Sequence, residues 1–485
     1  MPRGPIISVL AFAACVPAHP GGVFYNSNQS AEYIRSFDRN SALDAPDIAY
    51  YNMAGTVRLP PGLSLGFSNQ AILQWATVRT LGNPVLGERN YESRNPAWLV
   101  PDGFAVYRRG TWALFTSLQA LGATAVRRWR DGLPSLDLAA KQAAGYGGAF
   151  SQLIGADAAA GVLAAGGTPA QAQAAATAAG LDTTPFPSGS WLKGSLRFLA
   201  WRLGAARRLG PRFALGVAGR LVFARMDIQG GATGACTYDQ DGHDLRNQSQ
   251  VAVDVTARAA GCSGEVGANF YPSERMVFSL TYEMATGLGF RTAVRNLADG
   301  GGRFTDGRLA HLDLPQAWRF GFGWQITPGL RVSAGANAYL EHAARMDLLD
   351  DPADGIVARR DYRDTWEESA AVEFRPVPRW LLSLGVNVNQ IGQTRAATFD
   401  ASLPGAHARY LSLGMGFRYQ ATGRLRLNAG AAVTGFEHRF QWADPETDQA
   451  LQARFAAAGV TTDPRKEYDK RYLILAFGVD YHLPA

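Results

Sequence analysis

At 485 residues the chain would ordinarily divide into about three soluble domains, but 47% hydrophobic residues, 11% aromatic residues and 54 glycines suit many strands joined by tight turns. The formal net charge of +6 is too mild for a nucleic-acid protein, and no apolar run beyond the first residues approaches the roughly 18 that a membrane helix needs. A mean hydropathy of −0.11 is what results when one face of every strand meets lipid and the other meets water.

The chain opens with Arg3, an apolar run from Ile6 to Val16, and Val16, Pro17 and Ala18. This fits a secretory signal peptide over residues 1–18, with the mature chain beginning at His19. A lipoprotein signal ending at Cys15 is the weaker alternative, because Phe12 stands where such signals usually carry Leu. A buried first helix is disfavoured by Pro2, Pro5, Pro17 and Pro20. If Cys15 leaves with the signal, Cys236 and Cys262 remain as an even pair in an oxidising compartment. Neither lies in a CxxC or near a His at ligand spacing, so a disulfide is expected rather than a metal site.

Asp44 to Pro60, DAPDIAYYNMAGTVRLP, is too broken by Pro, Asn and Gly for one strand and too apolar for a free tail. It needs somewhere buried to sit. The alternating run that follows, GLSLGFSNQAILQWAT from Gly62 to Thr77, reads as the first strand. Residues 19–61 are therefore expected to plug the lumen of a barrel built from residues 62–485. The plug pattern, Ala49, Tyr51, Asn52, Ala54 and Gly55 with Leu59 and Pro60 beyond, resembles the N-terminal hatch of the outer-membrane long-chain fatty acid transporter (FadL) family. Met53 stands where that family has Pro, which frees the turn that a proline would fix.

After a polar segment, Val78 to Val100, come Gly103 to Arg108 and Thr111 to Val126, joined at Arg109 and Gly110 in a connection tight enough to force an antiparallel hairpin. Arg127 to Gly189 is the longest region without strand character. Its core from Leu138 to Leu181 is Ala-rich with helical spacing, and Thr168 followed by Pro169 and Gln171 reads as an N-cap with Pro at the first helical position. A Gly/Ala-rich linker is the alternative. The family resemblance implies a large helical extracellular loop here, over 137–181, offering a first hydrophobic groove.

From Trp191 onward tiny turns alternate with large loops. The turns lie at Leu209 to Pro211, Tyr271 to Glu274, Thr327 to Gly329, Pro376 to Arg379 and Ala421 to Gly423; the long polar segments lie near 230–249, 292–312, 347–363, 395–406 and 441–468. Short turns on one side and long loops on the other are the arrangement of bacterial outer-membrane barrels, with the short side periplasmic. Paired runs count to fourteen, so the predicted fold is all-β: a transmembrane antiparallel barrel of 14 strands with an N-terminal hatch and a helical extracellular loop. A barrel this wide cannot be filled by side chains, so a polar lumen with room for a plug is expected. Leu314 to Trp318, Asp364 to Trp366, and Leu403 and Pro404 before Tyr410 are similar to further landmarks of the family. The chain departs from usual barrel assembly signals by ending Leu483, Pro484, Ala485.

Enzyme readings are weak: the seven histidines are scattered, and G-x-S-x-G and HExxH are missing. Asp239 to Asp244 lacks a full calcium ligand set, and neither metal nor cofactor is expected. Lys193, Arg197, Arg220, Arg319, Arg331, Arg418, Arg424 and Arg426 fall on faces read as inward, because a charge in mid-membrane would cost roughly 2 to 4 kcal/mol. Some would pair with lumen acids such as Glu283 or Glu341. Arg197, Arg319, Arg331 and Arg424 are the candidates to hold a carboxylate head group, and Tyr51, Asn52, Met53, Ala54 and Gly55 the hatch or gating residues. The Asn52 amide is expected to hold buried backbone that has no ladder partner. Arg127, Arg128, Trp129 and Arg130 are read as an anchor against lipopolysaccharide phosphates.

The sequence thus points to a monomeric, passive transporter of the bacterial outer membrane, touching membrane lipids and lipopolysaccharide. Long-chain fatty acids are the leading cargo by resemblance, and aromatic hydrocarbons the runner-up. A general porin and an outer-membrane lipid hydrolase are the rivals from other classes; the plug argues against the first and the missing nucleophile against the second.

Overall fold

The short connections read from the sequence are the hinges of the barrel. In a computed structural model, which describes residues 25, 29–83, 87–122, 126–133, 137, 149–181, 190–240, 243–298, 305–348, 363–390, 409–436, 440–442 and 466–485, each joins two antiparallel strands. The expected signal peptide, residues 1–18, lies outside the described residues.

Fourteen staves follow in chain order, several interrupted. β1 is Gly62–Asn83; β2 joins Gly87–Arg94 to Ala97–Arg109; β3 joins Trp112–Gly122 to Arg127–Trp129; β4 is Trp191–Leu209. β5 is Phe213–Gln240 and β6 is His243–Ser273; β7 joins Met276–Glu283 to Gly289–Ala298, and β8 joins Leu309–His311 to Ala317–Thr327. β9 is Leu330–Tyr339, β10 Thr365–Val377, β11 Trp380–Gln390 and β12 Arg409–Gln420; β13 joins Leu425–Phe436 to Phe440–Trp442, and β14 is Lys466–Pro484. Each stave pairs with the next, and β1 pairs with β14 from Gly62 opposite Pro484 to Thr80 opposite Lys466. Closure leaves no edge with unpaired backbone groups.

Two expectations from the alternation pattern are corrected. The segment after Thr77 and the region 230–249 are not loops: β1 runs on to Asn83, and β5 and β6 continue as a hairpin to Gln240 and His243. Strands that project beyond an apolar environment need no apolar face, so the period-2 signal fades while the ladder continues. The disulfide is also overturned. In the β5–β6 register Cys262 faces Leu221 while Cys236 faces Asn247. Their separation along the hairpin is tens of ångströms at about 3.3 Å per residue, whereas a bridge needs Cα atoms within about 7 Å. Cys262 is free and exposed.

The outward face is apolar. Leu209, Phe213, Phe270, Phe278 and Phe322 share one register row near the short-turn rim, with ring centroids 5.0 Å apart for Phe213 and Phe270 and 5.1 Å apart for Phe278 and Phe322. The outward side chains of β4 from Leu199 to Leu209, apolar apart from Arg207 over the Trp112 ring near the rim, cover about 33 Å of strand, or about 25 Å along the barrel axis at a tilt near 40°.

The segment before β1 lies inside the barrel. It consists of α1 (Ala31–Ser36), α2 (Ile48–Tyr51) and a 3₁₀ turn (Met53–Arg58), and its residues are almost all buried. The wall admits it through glycines. A side chain at Gly385 would run into the Ser36 carbonyl, at Gly414 into the Ile34 carbonyl, and at Gly430 would lie 2.9 Å from the Arg35 nitrogen. Outside the barrel, α3 (Ala149–Ala164) and α4 (Pro169–Leu181) pack together. The expected cap of α4 is present: the Gln171 amide donates to Thr168 Oγ1 (3.2 Å), and the Thr168 amide donates to Gln171 Oε1 (2.9 Å).

Thiol titration of the denatured, unreduced mature protein should find Cys236 and Cys262 both reactive. A protein with no titratable thiol would contradict the β5–β6 register.

Candidate functional site

The site is the seam between hatch and wall. Ser30 caps α1, accepting from the Tyr33 amide at 3.0 Å and donating to Asp47 at 2.9 Å, and Phe37 ends the helix in the left-handed region at φ 53°. Asn52 then stitches the hatch to itself. Its Nδ2 donates to the Ala42 carbonyl at 3.0 Å and its Oδ1 accepts from the Gly55 amide at 3.2 Å, the role expected of it. Met53 wedges against the register-paired wall glycines Gly216 and Gly267, where a Cβ would lie 2.8 and 2.9 Å from its Cγ.

Beside this wedge lies a buried ion cluster. Arg202 and Arg220 face one another in register on β4 and β5. Arg202 Nη2 meets Glu265 at 2.6 Å, Arg220 Nη1 meets Glu283 at 2.9 Å, and Arg319 Nη2 meets Glu283 at 2.7 Å. All five side chains are fully or almost fully buried. The hatch completes the cluster. Arg202 Nη1 donates to the Tyr50 carbonyl at 3.1 Å, Arg319 Nη2 to the Tyr50 hydroxyl at 2.7 Å, and the Tyr25 hydroxyl donates to Glu283 at 2.7 Å. Arg319 also lies over the Tyr50 ring, 4.4 Å from its centroid. Burial pushes the Tyr25 and Tyr50 phenols up, so both stay neutral donors.

A second cluster lies toward the short-turn rim. Arg39 meets Asp47 at 2.7 Å and Asp44 at 2.9 Å, Arg418 of β12 meets Asp44 at 2.6 Å, and Arg35 and Arg331 share Glu373 at 2.6 and 2.8 Å. Burial would raise the Asp44 carboxyl, but Arg39 and Arg418 hold it well below the usual carboxylate range. This tether is therefore complete above the ordinary carboxylate pKa and is lost only in stronger acid, as pH falls through the depressed value. Beneath it a cavity of about 190 Å³, lined by Asp44, Arg58, Arg331 and Glu373 among others, lies between hatch and rim.

On the long-loop side of the ion cluster the inward faces of β4 and β5 are apolar, whereas buried polar side chains such as Gln74, Gln119, Asn387 and Asn389 line other staves, so the expected polar lumen is interrupted by an apolar patch. Leu192, Leu196, Phe198 and Ala200 precede Arg202 on β4; Val222, Met226 and Ile228 follow Arg220 on β5; all are buried, and Phe198 meets Phe290 edge-on at 6.5 Å.

The carboxylate candidates separate. Arg319 and Arg331 face inward and bind hatch and acids. Arg197 does not face inward: it is exposed on the outer face, in alternation with Arg202. Arg424 is exposed beside a short turn. The candidate gating residues Tyr51, Asn52, Met53, Ala54 and Gly55 are all buried in the hatch, with Tyr51 stacked on Tyr33 at 5.3 Å. Trp129 is buried instead of meeting lipid beside Arg128 and Arg130. Arg202, Glu265 and Tyr25 were not foreseen; the signal for Arg202 was its place in mid-strand, where only an inward charge is tolerable. The Asp239 to Asp244 side chains lie outside the described residues, and no group of potential metal ligands occurs among those described.

Fourteen antiparallel staves, closed and stoppered from within by the N-terminal segment, define the plugged-barrel class. Three solved structures give the particular fold. The chain matches a Pseudomonas aeruginosa FadL homologue with a TM-score of 0.61 at 14% identity, over 95% of this chain and 100% of that one. It matches the Pseudomonas putida toluene transporter TodX at 0.53 and 11% identity, over 92% and 96%, and the Ralstonia pickettii toluene transporter TbuX at 0.53 and 11%, over 93% and 98%. No family model and no curated protein matches the sequence.

Asn52→Ala removes both hatch-closing hydrogen bonds and strands a buried carbonyl and amide, at about 1 to 3 kcal/mol per unpaired group. Limited proteolysis should cut the variant's hatch faster while its barrel keeps a heat-modifiable gel shift. Equal cleavage rates would mean that Asn52 does not hold the hatch.

Proposed function

We propose that this chain is a FadL-family transporter that carries hydrophobic molecules passively inward across the bacterial outer membrane, with long-chain fatty acids as its cargo. One observation carries the reading: an apolar inner wall stands directly over a charged floor formed jointly by barrel and hatch. A general porin needs an open, wetted lumen, which a stoppered barrel does not offer, and a hydrolase needs a nucleophile with its base, whereas the floor beneath the apolar wall is made of arginines, carboxylates and phenols.

The floor favours an amphiphile. Three guanidiniums face two carboxylates, and Arg202 Nε, Arg319 Nε and Arg319 Nη1 lack hydrogen-bond partners. A carboxylate head would supply acceptors to buried donors while its chain lies along Leu196, Phe198, Val222 and Met226. In this account the α3–α4 pair captures the cargo, the upper lumen receives it, and rearrangement around Met53 and Asn52 opens a way to the cavity above the short-turn rim. Arg319 is the cation assigned to the head group, and Arg331 to the exit. Aromatic hydrocarbons are the second reading, because two of the matched structures are toluene transporters.

In liposomes, the protein should admit labelled palmitate without competition from toluene. Deleting Asp44 to Pro60 should abolish this selectivity and raise small-solute conductance. Toluene uptake without palmitate uptake would favour the second reading, and unchanged uptake and conductance after the deletion would overturn the gated mechanism.

A further inference from the structure

Arg197 has a use on the face where it stands. In the strand register it lies opposite Arg225, Arg225 opposite Arg258, and Arg258 opposite Arg291. Four arginines thus form an unbroken row across β4, β5, β6 and β7, and all four are exposed on the outer wall. Neighbouring strands are about 4.8 Å apart, and like charges directly opposite one another destabilise a sheet. One acid relieves the row: Asp227 holds Arg225 at 2.8 Å and accepts from Thr256 Oγ1 at 3.0 Å. Arg197, Arg258 and Arg291 make no ion pair with any described residue. The row therefore keeps a local excess of positive charge that an external anion would neutralise.

Its height selects the anion. The next outward residues toward the short-turn rim are Leu199 and Phe223, themselves in register and exposed, followed by Trp201 and Leu221. Arg197 and Arg225 thus mark the edge of the apolar band. Because strands tilt by about 40°, the row climbs obliquely from there by about 3 Å per strand, carrying Arg258 and Arg291 farther from the apolar band. A free anion would use the guanidiniums but not the apolar surface beneath them; a lipid would use both.

We propose that this row binds the head group of a multiply phosphorylated glycolipid of the outer leaflet, one phosphate between Arg197 and Arg225 and another between Arg258 and Arg291, with acyl chains on Leu199, Trp201, Leu221 and Phe223. Guanidinium forks match phosphate oxygens bidentately. The proposal rests on the outer-membrane reading above, but not on the identity of the cargo.

The test is native mass spectrometry of the full-length mature protein in detergent, titrated with bis-phosphorylated lipid A, monophosphorylated lipid A or phosphatidylcholine. Affinity should fall in that order. Each single Arg→Gln change at 197, 225, 258 or 291 should weaken lipid A binding about fivefold, and the quadruple variant roughly several hundredfold. Arg375→Gln with Arg379→Gln, on the opposite rim, should change nothing. Equal binding by the quadruple variant, equal binding of phosphatidylcholine, or displacement by equimolar inorganic phosphate would overturn the site. Palmitate uptake by the quadruple variant is measured alongside. Absent lipid binding with intact uptake would refute the row alone, whereas absent uptake by the parent protein would fault the transport reading separately.

Discussion

Charge that cannot reach water must find a partner, and the interior of this barrel is arranged around that constraint. Arg202, Arg220 and Arg319 are held by Glu265 and Glu283, yet two carboxylates do not satisfy three guanidiniums. The hatch supplies three further partners, the Tyr50 carbonyl and the Tyr25 and Tyr50 hydroxyls. Breaking one partner of such a buried group costs about 3 to 5 kcal/mol. The hatch is therefore more than an occupant of the lumen, since its removal would leave the wall's own charges exposed to one another. The second cluster, on Asp44 and Glu373, applies the same constraint nearer the rim.

The first cluster adjoins an apolar patch: on β4 and β5 the inward side chains above it are apolar, while at the cluster they are charged. A nonpolar chain would suit the patch and a charge the cluster, so a molecule with one charged end can bridge both. Burial also accounts for why the hatch is sewn together by side chains such as Asn52 and Ser30. Its peptide groups are too irregular to join the barrel's ladder, and every unpaired one would be a cost.

Most of the fold was legible in the sequence because lipid and water on opposite faces impose a period of two, and because each short turn carries Gly, Pro or both. The hatch was legible as a turn-rich apolar segment with no strand character, and the Asn52 role followed from its burial. What was not legible has physical causes. Alternation disappears where strands leave the apolar band, hiding the β5–β6 hairpin and suggesting a disulfide between cysteines that the hairpin holds far apart. In Leu196 to Leu203 both faces are apolar, so parity gave no guide to which arginine turned inward. Arg197 and Arg202 are an odd number of residues apart and must face opposite ways; depth in the strand, not alternation, decides that Arg202 is the inner one. The apolar inner patch of β4 and β5 was not legible for the related reason that a wide barrel is expected to hold water.

The glycines that admit the hatch have a consequence for how the molecule is made. Gly385, Gly414 and Gly430, against which α1 rests, belong to β11, β12 and β13, and the partner of β1 is β14. The first-synthesised element thus finds its seat on the last-synthesised staves. Contacts so distant in sequence form late, because the loop-closure entropy of nearly the whole chain stands against them. Threading the hatch and zipping the β1–β14 seam are accordingly coupled late events in assembly, and an open sheet still lacking its inner segment is the intermediate most exposed to misassembly.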